Sequence, residues 1–234
     1  MTAIRHLQSN VGRIFNQRCF YLFLCLVGLI GVAPWVDDSA QGRIVLLVAQ
    51  ATILIAAVAA VGRTTMPFVI ALLLGMPALG FQLAGNVWHD DPTTNIERAT
   101  IFYLAFYVVA VGYLLRFVFS RDAMTDDKLF GAAAGYLMLG IMWTDAYRLA
   151  QFHVPGAFAP RADGTPPGFY DLLYMSFGCL TSNGPGDVLP LGSKVRSLVI
   201  LEQLAGGLFL AILIARLAGI YPLPERPERS SVRP

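Results

Sequence analysis

Apolar residues run along this chain in long unbroken blocks, with polar residues gathered between them. The first 18 residues differ. There Ile4, Leu7, Val11, Ile14 and Phe15 recur at helical spacing with Arg5, Arg13 and Arg18 between them. That pattern predicts a helix lying on a membrane surface. Blocks long enough to cross a bilayer follow at about 19–36, 44–62, 66–85, 96–120, 129–152 and 194–221. Pro67 falls in the first turn of the third block. Pro77 falls in its middle and is expected to kink it, because proline leaves a carbonyl unpaired. Thr94-Asn95-Ile96-Glu97 has the pattern of a capping box opening the fourth block. The tail from 222, PLPERPERSSVRP, is expected to be disordered.

Composition sharpens this picture. Hydrophobic residues make up 56% of the 234, charged residues 14%, and mean hydropathy is +0.60. Soluble domains carry about 25% charge, so an ordinary soluble enzyme is excluded. A net charge of +2 gives no reason to expect nucleic acid. Cys19, Cys25 and Cys179 have neither CxxC nor metal spacing and read as packing residues. With the N-terminus inside and six spans, eleven Lys/Arg fall inside and six outside, so both termini are expected in the cytoplasm.

One apolar stretch is too short and too polar to be a full span. Residues 170–192 read YDLLYMSFGCLTSNGPGDVLPLG. Irregular backbone at membrane depth is tolerated only when it is buried in protein or lines water. Tyr170 to Leu180 therefore read as a half-helix, and Thr181 to Asp187 as an extended return that leaves on the side it entered.

This stretch resembles the pore loop of the potassium-channel superfamily, whose filter usually reads Thr-Thr-Val-Gly-Tyr-Gly-Asp. Thr181, Ser182, Gly184, Gly186, Asp187 and Pro190 fall where that family has Thr, Thr, Gly, Gly, Asp and Pro. The following SLVILEQLAGGLFLAILIARLAGIY resembles the inner helix of small bacterial channels, and the likeness covers residues 129–221. It implies an all-α membrane protein of six transmembrane helices plus a re-entrant pore helix and loop, in a bacterial inner membrane. Residues 19–120 would form a peripheral four-helix region and 121–221 the pore domain. Backbone carbonyls would replace the water around a permeant potassium or sodium ion. Gly184 and Gly186, two apart, would permit the unusual angles that such a carbonyl row needs. Enclosing an ion takes four such strands, and each chain has one, so a homotetramer in lipid is implied, with no cofactor and no enzymatic activity.

Asn183 and Pro185 stand where the family has an apolar residue and an aromatic one. Asn183 would then face a packed shell, with Glu202, Cys179 and Tyr174 as candidate partners. Pro185 lacks both an N–H and an aromatic brace. Two outcomes stay open: a wider, weakly selective pore, or an equally rigid filter rebuilt around Asn183. A non-conducting homologue and a small carrier are the alternatives to a channel.

Glu202 is an intramembrane carboxylate, read as a brace behind the filter rather than an ion ligand. Gly206 and Gly207 are candidates for a hinge, with close packing as the alternative. Ala211 and Ala215 would then face the inner mouth. Gly131 and Gly135 form a GxxxG pattern expected to pack on the inner helix. Asp145 and Arg148 read as an ion pair, and Asp171 as a charge suited to a helix N-terminus. With Arg98 counted among the outside charges, the fourth block carries Arg116 alone, too little for steep voltage sensing. With 13 residues after Tyr221, no ligand-binding domain is expected there.

Overall fold

The computed structural model describes residues 18–35, 40–61, 65–85, 92–120, 125–184 and 186–218. Apart from Arg18, the surface helix expected over 1–18 lies outside these residues, as do the tail 222–234 and Pro185. Regular structure among the described residues is helical: α1 (Arg18–Val32), α2 (Ala40–Val61), α3 (Thr65–Leu83), α4 (Pro92–Val118), α5 (Asp126–His153), α6 (Phe169–Leu180) and α7 (Ser193–Ala218). A 3-10 turn, Ala33–Trp35, extends α1.

Of these, α4, α5 and α7 are long and apolar enough to cross a membrane, and they give the chain the character of a membrane protein. The other apolar segments, Arg18–Val32, Ile44–Ala59 and Phe68–Leu83, are shorter. Helix α4 begins at Pro92, a residue suited to a first turn because its missing N–H would be unpaired there anyway. The Thr94–Glu97 pattern thus lies inside the helix rather than opening it, and Glu97 reaches His153 at the end of α5 (3.3 Å). Thr125 caps α5, accepting from the Lys128 N–H, with Asp126 and Asp127 at the positive end of the helix. Helix α3 runs through Pro77 without a break.

Helices α1 to α5 close a ring in chain order, each packing on the next and α5 on α1. The α1 seam is Cys19, Leu22, Leu26 and Leu29, all buried at alternating spacings of three and four. It packs into a core shared with Tyr103, Phe106, Tyr107 and Leu114 of α4. Inside the ring Gln82 donates to Gln50 (2.5 Å) and Tyr103 donates to Gln82, so buried hydrogen bonds link α2, α3 and α4.

Helix α5 also packs on α6 and α7, which makes it the wall between the ring and the remaining pair. Small residues let neighbours approach it: Gly131, Ala132, Ala134, Gly135 and Gly140 are buried. The GxxxG face lies mainly on α4, not on α7 as the sequence suggested. A Cβ on Gly131 would stand 3.3 Å from Val118, and one on Gly135 3.6 Å from Leu114, with Phe209 of α7 at 3.9 Å.

Candidate functional site

The segment after α5 folds back on itself. Helix α6 starts at Phe169, where Asp171 accepts from the Gly168 N–H (2.7 Å) and from Arg161 (2.6 Å). The carboxylate thus answers unpaired N–H groups at the positive end of the helix, as the sequence suggested. Twelve residues later α6 ends at Leu180, against the middle of α7. A Cβ on Gly206 would lie 2.1 Å from the Leu180 carbonyl oxygen. Gly206 is thirteen residues into α7, about 20 Å along its axis. The chain then returns to the end from which α6 started. The Ala159 N–H bonds to Leu189 O (2.9 Å) and the Leu191 N–H to Ala157 O (3.0 Å), both at the α5–α6 connection. The chain thus turns after Leu180 at about half the depth of α7 and is back at the α5–α6 connection by Leu189.

The first part of this turn is wound against α6 instead of being extended. The N–H groups of Asn183 and Gly184 both donate to Gly178 O (2.9 and 3.1 Å), and that of Ser182 to Cys179 O (2.9 Å). Thr181 closes the helix end through its hydroxyl, which donates to Phe177 O (2.7 Å). The orphan carbonyls of the helix terminus are thereby used by the turn itself. Left-handed backbone occurs at Ser182 (φ 61°), Gly184 (97°) and Gly186 (63°), every second residue. Two of the three are glycines, as the spacing suggested. Ser182 is the unforeseen member, and its signal was the two-residue period continued backwards onto a non-glycine residue.

The Gly184 carbonyl points back at α6: a Cβ on Gly178 would lie 2.4 Å from its oxygen. An inward-facing carbonyl at every step, expected from the family likeness, does not hold at Gly184 in this chain. Asn183 also departs from expectation. It is exposed, and its amide donates to Thr181 Oγ1 (3.0 Å) rather than to Glu202, Cys179 or Tyr174. The amide has a nearer partner in its own turn, so no packed shell is needed to satisfy it. Tyr174 lies instead against Gly186, where a Cβ would come within 2.8 Å of its ring. Asp187 is exposed beyond it.

Behind the turn stands a buried polar cluster. Glu202, fully buried on α7, accepts from Tyr147 of α5 (2.5 Å) and contacts Ser176 of α6 (2.5 Å). Ser176 also meets Gly140 O of α5 (2.7 Å). Cys179 is buried beside them with its thiol in hydrogen-bond reach of Tyr147. Tyr136 of α5 donates to Leu180 O (3.1 Å) and holds the last carbonyl of α6. Glu202 is therefore a brace between three helices, and Asn183 is not among its partners. Ser176, Tyr147 and Tyr136 were not singled out in the sequence. Single hydroxyls inside apolar helices carry no local signal until a buried carboxyl is found facing them.

Of the two candidate hinge glycines, Gly206 is buried against α6, whereas nothing lies within 4 Å of a Cβ at Gly207. Ala211 and Ala215 are exposed along with Gly207. Asp145 is fully buried and pairs with Arg148 at 3.4 Å, the ion pair expected from their spacing. Among the described residues no group of three or more His, Cys, Asp or Glu could hold a metal ion. Compared with known proteins, the chain matches no family model, no curated protein and no solved structure.

Proposed function

We propose that this protein is a tetrameric membrane channel that passes monovalent cations downhill through the turn at 181–187. The observation that carries the reading is the re-entrant path: α6 descends to the middle of α7, turns there, and returns to its starting end. A turn with exposed polar groups at that depth needs water beside it, and Thr181, Ser182, Asn183 and Asp187 are all exposed in the single chain. Helix α7 supports the assembly. Only 22% of its apolar window is buried within the chain, against 56% for α5, so most of α7 is free to meet other copies around an axis. Six spans with both termini in the cytoplasm of a bacterium fit the charge bias of the loops. The pore is not voltage-gated and the protein is not an enzyme.

Discrimination between potassium and sodium is proposed to be weak. A cage of carbonyls selects by its rigidity or its dipole number. The turned Gly184 carbonyl and the exposed Asn183 argue for fewer coordinating layers. The same turned carbonyl also favours a second reading, a homologue that keeps the loop but does not conduct. Purified protein in liposomes decides between them: tracer potassium and sodium should both enter down their gradients, at rates within about tenfold of each other, or about 1.4 kcal/mol. Chloride flux in place of cation flux would overturn the channel reading. Intact tetramers without flux would establish the second.

A further inference from the structure

Three oxygen–oxygen contacts meet around Glu202: Tyr147 Oη to Oε2 at 2.5 Å, Ser176 Oγ to Oε1 at 2.5 Å, and Ser176 Oγ to Gly140 O at 2.7 Å. Oxygens this close have a proton between them. The two hydroxyls bring one proton each, and the Gly140 carbonyl brings none. The Ser176 proton therefore lies on Gly140 O, and the Tyr147 proton on Oε2. The contact between Ser176 and Oε1 is left without one, and the carboxyl itself is the remaining source.

We infer that Glu202 is a proton-binding site, a carboxylic acid that donates from Oε1 to Ser176 and so completes a chain of hydrogen bonds tying α7, α6 and α5 together. Each of the three contacts then holds one proton, from Tyr147 through Glu202 and Ser176 to Gly140, whose carbonyl also accepts from Thr144 (2.9 Å). The titratable groups facing Glu202 are Tyr147 and Tyr136 from α5 and Cys179 from α6. None of the salt bridges among the described residues involves Glu202, so a carboxylate there would be buried without a counter-ion. Loss of the proton leaves two protons for three contacts. Ser176 must then turn from Gly140 to the carboxylate, which cuts a tie between α6 and α5, or stay and face a bare oxygen at 2.5 Å. Both outcomes loosen α6, whose end carries the turn at 181–187. The coupling to conduction rests on the channel reading; the proton site does not.

The test uses the full chain in lipid vesicles. At neutral pH, infrared difference spectra of the wild type against Glu202→Gln should contain one protonated-carboxyl band that the variant lacks. Raising the pH should remove that band from the wild type. No such band at any pH would overturn the proposal, whatever the flux shows. Glutamine can make both contacts of residue 202, donating to Ser176 and accepting from Tyr147, and leaves Ser176 on Gly140, so Glu202→Gln is expected to fold. Should it fail to fold, Ser176→Ala serves instead: removing the acceptor should shift the band, and an unmoved band would be decisive against the site. Potassium flux through the wild type should change across the same pH range in which the band is lost, and flux through Glu202→Gln should not follow it. A titrating band with pH-independent wild-type flux would overturn the coupling. A titrating band in a protein with no flux at any pH would overturn the channel reading and leave the proton site standing.

Discussion

Gly206 and Gly207 are adjacent and chemically identical, yet the fold treats them differently. A methyl group on Gly206 would press on the Leu180 carbonyl, which is backbone at a helix end and cannot swing aside. Gly206→Ala should cost about 1–3 kcal/mol by overpacking and displace the end of α6. Gly207→Ala meets nothing within 4 Å in its own chain and, in a separated subunit, should gain a few tenths of a kcal/mol or more, since alanine favours a helix over glycine by about 1 kcal/mol. Thermal unfolding of the two variants in the same detergent checks the contrast. Equal effects would mean that the α6–α7 crossing is not tight. Gly178→Ala belongs to the same class, with the Gly184 carbonyl 2.4 Å from the added methyl, and should disturb the turn while leaving the helices intact. The glycine pair at 184 and 186 was legible in the sequence because only a backbone need explains two glycines in a polar turn. Gly178 was not legible: one glycine inside an apolar helix reads as filler until the chain that folds over it is seen. Asn183 was misread for a related reason. The family likeness assigned it a packed environment, and the sequence could not show that Thr181 lies within reach of its amide.

At the scale of elements, α6 is held at both ends by unlike means. Its start is electrostatic, through Asp171 and Arg161, and its end is steric and hydrogen-bonded, through Gly206 and Tyr136. Tyr136→Phe removes one donor from a carbonyl, a loss of about 0.5–1.5 kcal/mol. If the channel reading holds, flux should suffer more than this stability loss implies, because Leu180 leads directly into the turn. Flux and unfolding measured on the same preparation test it, and proportional losses would speak against a positioning role. Beyond the turn, Asp187 is exposed. In the proposed tetramer, four copies at one mouth should raise the local concentration of cations. Asp187→Asn should therefore lower conductance more at low salt than at high, since screening acts within about 10 Å at 0.1 M. An equal loss at both would point to collapse of the loop. The elements themselves were legible in the sequence to within a few residues, because apolar blocks bounded by charge leave little choice. The starts of α2 and α4 differ most, each lying four residues before its apolar block, and at α4 the reason is visible. There a capping pattern competed with Pro92, and the proline set the boundary.

The whole molecule divides at α5, with a five-helix ring on one side and α6 with α7 on the other. In the proposed assembly the ring is peripheral and α7 is axial. Helix α4 carries Arg98 in its first turns and Arg116 in its last. Moving one charge across 100 mV is worth about 2.3 kcal/mol, so two arginines at opposite ends of one helix cannot produce steep gating. The current–voltage relation in symmetric salt should be close to linear, and a steep sigmoid would contradict this. Crosslinking in native lipid should stop at four subunits; a ladder ending at two would remove the axis on which the proposal depends. The division at α5 was only partly legible, because an α5 rich in small residues can serve as a wall on either face. The sequence placed its glycine face on α7, and the fold placed it mainly on α4.

The buried residues of α7 are Val195, Val199, Glu202, Gly206 and Phe209, spaced by four and three in turn. This is a narrow seam, flanked by half-buried residues such as Leu198, Gln203 and Ala205, on a rod whose other side is exposed. Past Phe209 no α7 residue is fully buried, and Arg216, whose guanidinium bonds to Ser120 O after α4, is the attachment near the far end. Mechanically, α7 is a beam clamped along its upper half and tethered near its tip. The free length from Phe209 to Arg216 is about 10 Å. Cutting the tether with Arg216→Gln would leave a cantilever, and a tilt of about 15° at the clamp would carry its tip nearly 3 Å sideways, on the scale of the helix shifts that separate two states of a switching protein. A spin label at the exposed Ala215 should then report a large gain in motion, while one at Leu201, beside the clamp, should report none. Stiffness in this protein is thus graded along a single helix, rigid where the turn is braced and compliant where four tips would meet.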